Sequence, residues 1–175
     1  MPYTSPATGH NPTTGNVIPA SWGDDVNSAA DYLATNFPHC SIYESSVQIV
    51  SSGGSGEDLT SNEERSDVGG MHSVGSNTER ITIPASEGGL YACSATVEFA
   101  ANATGTRVVQ FVVNNTTTYD VYAGPGYAAN VLICGGIRFI NLAAADYVTC
   151  RAYQDSGGDL DVQLLDFTVA WQATA

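Results

Sequence analysis

The tightest constraint on the fold is the alternation in residues 89–99, GLYACSATVEF. Tyr91, Cys93, Ala95, Val97 and Phe99 share one parity, and Ala92, Ser94, Thr96 and Glu98 share the other. A period of two describes a strand with one face in a core and the other toward water, with the odd positions inward. A second run, RVVQFVVNN (107–115), is apolar on both parities, since Val109, Phe111 and Val113 alternate with Val108, Gln110 and Val112. Such a strand is expected to be covered on both sides, either centrally in a sandwich or at a subunit interface.

Further short runs follow the same period: SIYESSVQIV from residue 41, RITIP (80–84), VLICGGIRFINL, DYVTCRAYQ and DLDVQLLDFTVAWQ. In the last, the apolar parity passes from Leu160, Val162 and Leu164 to Leu165, Phe167, Val169 and Trp171, which predicts a bulge near Leu164 and Leu165. Residues 51–80 are rich in Ser, Gly, Glu and Asn and read as a long acidic loop region with room for one short strand inside. About eight or more short strands with turn signals between them indicate an all-β fold, an antiparallel jelly-roll sandwich.

The first 38 residues differ in kind. Residues 1–20 are rich in Pro, Thr, Gly and Asn without periodicity and read as an extended arm. Ser21 and Asp24 then form a capping-box pattern, and Trp22, Val26, Ala29, Leu33 and Phe37 fall on one helical face before Pro38 ends the run. The expected organisation is an arm and one short helix over 1–38, followed by the jelly roll over 39–175. The apolar face of Trp22, Val26, Leu33 and Phe37 calls for a partner, which makes 1–38 an anchoring segment.

Charge narrows the function. Eighteen acidic residues against five arginines and no lysine give a formal net charge of −13, which disfavours binding through phosphate contacts, so no nucleic acid partner is expected. No stretch of 18 apolar residues exists, so no membrane insertion is expected, and the N-terminus has no basic-then-apolar export signal. A chain of 175 residues accommodates one domain with a short appendage.

Reactive groups are sparse. His10, His39 and His72 sit in no HExxH pattern, no GxSxG elbow exists, and the carboxylates of GDD (23–25) lie where they favour a helix N-terminus. The turn DSGGDLD (155–161) places three carboxylates together, as a plain hairpin turn or as oxygen ligands for calcium. Cys40, Cys93, Cys134 and Cys150 are widely spaced, consistent with buried thiols or with one or two disulfides. No catalytic residue, cofactor or metal is therefore assigned. Tyr119, Tyr122 and Tyr127, with glycines between them, read either as a recognition loop for sugar or protein or as a connection whose tyrosines pack locally.

The order SNEERSDVGGMHSVGSNTERITIP, GGLYACSATVEFAANATGTRVVQFVVNNTT, NLAAADYVTCRAYQDSGGDLDV and FTVAW resembles a family of tailed-virus virion proteins. Its members carry a trimeric jelly roll like the complement globular head and tumour necrosis factor. The resemblance spans residues 40–175 and departs from the family at Ala145-Asp146, where Gly-Asp is common before the Tyr-Val strand. It implies a homotrimer on the virion surface, in head or tail. Such a protein is a capsid decoration or vertex protein contacting the major capsid or other virion proteins, or alternatively a tail-fibre module binding a host glycan or receptor. Tyr147, Arg151 and Tyr153 point away from the face that Val148, Cys150 and Ala152 give to the core, and they are the expected trimer contacts. Arg107, at the start of its strand, is expected to meet a carboxylate or a strand-end carbonyl, within a subunit or across to the next.

Overall fold

The alternating residues 89–99 form one long strand that runs through the centre of a sheet, and the other periodic runs assemble around it. A computed structural model describes residues 26, 27, 37–128 and 130–174. Among them are eleven strands: β1 (His39–Glu44), β2 (Gln48–Val50), β3 (Glu57–Asp58), β4 (Glu63–Val68), β5 (Arg80–Thr82), β6 (Gly89–Phe99), β7 (Asn102–Val113), β8 (Thr117–Tyr127), β9 (Leu132–Leu142), β10 (Tyr147–Gln154) and β11 (Leu160–Ala173). Val26 and Asn27 are helical. The rest of the expected arm and helix, Trp22 and Leu33 included, lies outside the described residues.

The strands make two antiparallel sheets. The first has the order β4-β1-β11-β6-β9, with β2 also on β11; the second has the order β3-β10-β7-β8, with β5 also on β10. Neighbours in each sheet are mostly far apart in sequence, as in a jelly roll. The inner faces supply one core: Cys40, Ile42, Tyr91, Cys93, Val97, Phe99, Leu165, Phe167 and Val169 from the first sheet meet Val109, Phe111, Val148, Cys150 and Ala152 from the second. Phe111 and Phe167 stack across the gap with ring centroids 5.5 Å apart.

The odd positions of β6 are buried as their alternation requires, while Ala92, Ser94 and Glu98 are half-buried and Thr96 is exposed. In β11 the parity shift becomes a bulge: Val162 pairs with Phe99 and Leu164 with Glu98, leaving Gln163 as the extra residue. Leu160 and Val162 before it, and Leu165, Phe167 and Val169 after it, all reach the core. Strand β7 lies inside the second sheet between β10 and β8, and Val112 on its outer face is buried as well.

Three expectations need correction. The acidic stretch 51–80 contains two strands, β3 and β4, because short edge strands draw their stability from a neighbour's backbone and need no apolar run of their own. Residues 117–127 are a strand rather than a loop. Pro125 is tolerated because β8 ends the second sheet, where a missing N–H breaks no ladder. The strand expected from Arg107 begins earlier, at Asn102, and its first residues form an irregularity between the Asn102–Tyr127 and Thr106–Pro125 pairs.

The cysteines are four free, buried thiols. Burial pushes Cys93 and Cys134 up to about 12, the latter against the pull of Arg107, and raises Cys40 and Cys150 as well. None supplies a thiolate near neutral pH.

Candidate functional site

Strand β9 carries three exposed large apolar side chains, and Val47, Ile49, Val74, Tyr127 and Val131 are exposed elsewhere among the described residues. In β9, Cys134, Ile140 and Leu142 enter the core, whereas Ile133, Ile137 and Phe139 stand on the outer face with 62%, 59% and 59% of their surface exposed. Strand pairing places Ile137 and Phe139 beside a bed of short side chains, while Ile133 is level with Glu98 of β6. Phe139 is level with Ala92 of β6 and Ala170 of β11; Ile137 is level with Ser94 and Thr168, and Thr168 pairs on with Ser41 of β1. The Thr168 hydroxyl donates to that of Ser41 at 2.9 Å, so this polar pair is satisfied within the sheet. The outer face of the first sheet is thus a raised apolar row next to a low floor.

Glycine shapes the row. Gly135 has φ +157°, and a Cβ there would lie 1.9 Å from the Ala95 carbonyl oxygen, so no side chain fits between β9 and β6. A Cβ on Gly136 would meet the Val121 carbonyl oxygen of β8 at 2.8 Å. The Gly-Gly step lets β9 lie close to β6 on one side and to the rim of the second sheet on the other. Beside it runs a shallow groove lined by Ser94, Thr96, Ile133, Gly135, Ile137 and Asp166. At its far side Asp166 pairs with Arg65, whose guanidinium lies 4.4 Å from the centre of the Tyr43 ring.

The expected contact residues lie on the other sheet. Tyr147, Arg151 and Tyr153 are half-buried on the outer face of β10. Arg80 sits over the Tyr147 ring at 4.8 Å. Arg151 grips Asp58 with Nε at 2.8 Å from Oδ1 and a terminal nitrogen at 3.0 Å from Oδ2, a pairing that raises the Arg151 pKa. Arg107 is 1% exposed, and its guanidinium donates to the carbonyls of Asn102, Thr104 and Thr106 of its own chain. Of the residues expected on the anchoring helix, Val26 is exposed and Phe37 half-buried.

The three tyrosines do not form one platform. Tyr119 and Tyr122 pack against the core cluster, on either side of a register shift in β8, while Tyr127 at the end of the strand is 55% exposed. Arg138 reaches over the Tyr119 ring at 5.7 Å. In the 155–161 turn, the Asp155 carboxylate accepts from the Thr106 amide, and among the described residues no three His, Cys, Asp or Glu side chains converge as metal ligands. The β9 row escaped the sequence reading. Its signal was present, because VLICGGIRFINL is apolar on both parities just as the β7 run is, but the paired glycines obscured it.

No protein-family model matches the chain, and no curated protein matches it in sequence. Solved structures do match its fold. The globular domain of zebrafish complement 1qA superposes with a TM-score of 0.57 at 14% identity, covering 79% of this chain and 99% of that one. Eiger TNF from S. frugiperda gives a TM-score of 0.51 at 14% identity over 80% of this chain and 95% of that one. The vertex protein P5 of PRD1 gives 0.57 at 15% identity over 78% and 98%. The domain is therefore a jelly roll of the complement globular head and tumour necrosis factor kind, a fold it shares with a viral vertex protein.

Proposed function

We propose that this chain is a non-enzymatic structural protein of a virus particle, a homotrimeric decoration or vertex protein attached through residues 1–38. The observation that carries the reading is the exposed row Ile133, Ile137 and Phe139 beside the Ala92, Ser94, Ala170 and Thr168 floor. An acidic chain gains nothing by showing water three large apolar side chains on one strand, and such a patch marks an assembly surface. A contact that lays the row of one copy on the floor of the next fits this face, and such a head-to-tail contact makes a ring where the rotation between copies closes. The likeness to the PRD1 vertex protein supports a virion role, and the resemblance to trimeric jelly rolls supports a ring of three.

Tyr147, Arg151 and Tyr153 on the opposite sheet offer a further contact surface. Removing residues 1–38 tests the attachment: the truncated protein is expected to keep its oligomeric state and to lose particle binding, and a truncated protein that still joins particles refutes the anchoring role. A second reading, a tail module for glycan or receptor, draws on the exposed Tyr127. Glycan-array binding that disappears in Tyr127→Ala favours it.

A further inference from the structure

We propose that His72 is a proton-operated latch on the loop of residues 69–79, which crosses from β4 in the first sheet to β5 in the second. The His72 side chain is fully buried, with Nδ1 2.9 Å from Oε1 of Glu64 and Nε2 3.2 Å from the carbonyl oxygen of Thr78. A carboxylate and a carbonyl both accept hydrogen bonds, and a neutral imidazole donates from one nitrogen only. Both bonds form together only when the His72–Glu64 pair holds one more proton than a neutral ring beside a carboxylate. Without that proton, a buried nitrogen lone pair faces an acceptor and one of the two bonds is lost.

The rest of the loop amplifies this dependence. Met71, 1% exposed, plugs the core, and the amides of Met71 and His72 donate to the Asp67 carboxylate at 2.8 and 3.2 Å. The Thr78 carbonyl that receives the ring also receives the Ser61 amide, and the Met71 carbonyl receives the amide of Thr82. The ionisable groups around the loop are Glu64 and Asp67 on β4, the Cys40 thiol on β1, whose pKa is raised by burial first and then by Asp67 and Glu64, and Glu79 and Arg80 where β5 begins. Arg80 turns to Tyr147 and Arg65 to Asp166. The closed loop therefore binds a proton that the open loop releases, so closing strengthens as pH falls and weakens as pH rises.

The test is hydrogen exchange of the full chain between about pH 5 and 8, the range in which histidine changes charge, with protection corrected for intrinsic exchange. Protection of the Ser61, Met71 and His72 amides, which the closed loop holds in hydrogen bonds, is expected to fall by up to about tenfold per pH unit, the limit for one linked proton. In Glu64→Gln the amide can donate to Nδ1 while the neutral ring donates from Nε2, so protection at pH 8 is expected to rise above wild type and the pH profile to flatten. Ring ¹⁵N shifts of His72 in the unmodified protein give an independent reading, with both nitrogens protonated at the acid end. A flat profile in the wild type, a Glu64→Gln profile as steep as the wild type's, or a singly protonated ring at pH 5 overturns the proposal.

Discussion

The guanidinium of Arg107 donates to the main-chain carbonyl of Thr104 at 3.0 Å, closing the irregular start of β7 on itself. The same group donates to Thr106 at 3.0 Å and to Asn102 at 3.1 Å, so it fills the acceptors that the shifted register leaves over. A Cβ on Gly126 would come within 3.0 Å of it, which shows how closely β8 covers the site. Burial lowers the Arg107 pKa, Asp155 and Cys134 act the other way, and the side chain stays charged at any pH of interest.

Arg107→Met should therefore cost about 3 kcal/mol, on the order of 1 kcal/mol for each carbonyl left without its donor. Arg107→Lys should recover little, because a compact ammonium lacks the planar fork. Urea denaturation measures both variants; a Lys variant as stable as wild type would show that charge alone matters at this position.

The fork between Arg151 and Asp58 ties the two-residue strand β3 to β10, and the Thr149 hydroxyl adds a third bond to Asp58 at 2.9 Å. Both ionic side chains are about one-fifth exposed, at 20% and 21%, so screening weakens the pair only in part. A double-mutant cycle of Asp58→Asn with Arg151→Met should give a coupling of about 1–2 kcal/mol, as expected for a bidentate charged pair. A coupling near zero would show that β3 is held by backbone bonds alone.

Ala145 adopts φ +68°, the left-handed conformation that glycine takes without penalty. The Asp146 carboxylate holds the turn by accepting from the Ala143 amide at 2.8 Å and from Asn114 Nδ2 at 2.7 Å. Left-handed backbone costs an alanine about 1–2 kcal/mol, and glycine gives back about 0.5–1 kcal/mol in chain entropy. Ala145→Gly should thus stabilise the domain by about 0.5–1 kcal/mol. A lower melting temperature for this variant would contradict the account of the turn.

Glu44 is 7% exposed, and its carboxylate accepts from the Ser46 amide at 2.7 Å and the Asn62 amide at 3.2 Å. Burial acts to raise its pKa, but the amide donors outweigh burial and hold it below the usual carboxylate range. A depressed folded pKa means that the stabilisation is complete above the unfolded value of about 4.3 and is lost as pH falls through the folded value. Stability curves for wild type and Glu44→Gln should converge below about pH 4, the variant being the less stable above it. Parallel curves down to pH 2 would remove Glu44 from the acid sensitivity.

Regular alternation made the core legible: β6 and the bulge in β11 follow directly from parity, since a buried face admits only one register. Strand β8 was not legible, because Gly124, Pro125 and Gly126 carry a turn's composition while pairing along the rim of a sheet. At position 145 alanine takes the left-handed conformation in place of glycine, in a turn that Asp146 and Asn114 hold together. The proposed assembly surface lay in a strand apolar on both parities, and only the pairing of β9 with β6 reveals that Ile133, Ile137 and Phe139 face outward, the last two beside small residues. Arg107 lies inside β7, which begins at Asn102, rather than at a strand start, and of the two partner kinds expected for it the structure shows carbonyls, all within its own chain.

The central claim is self-association through the outer face of the first sheet, and light scattering of the purified full chain measures it most directly. The account predicts a mass about three times the 18.2 kDa of one chain, falling to one chain in Ile137→Asp or Phe139→Asp with the fold retained by circular dichroism. A wild-type protein that scatters as a monomer, or trimers unaffected by either substitution, would contradict it.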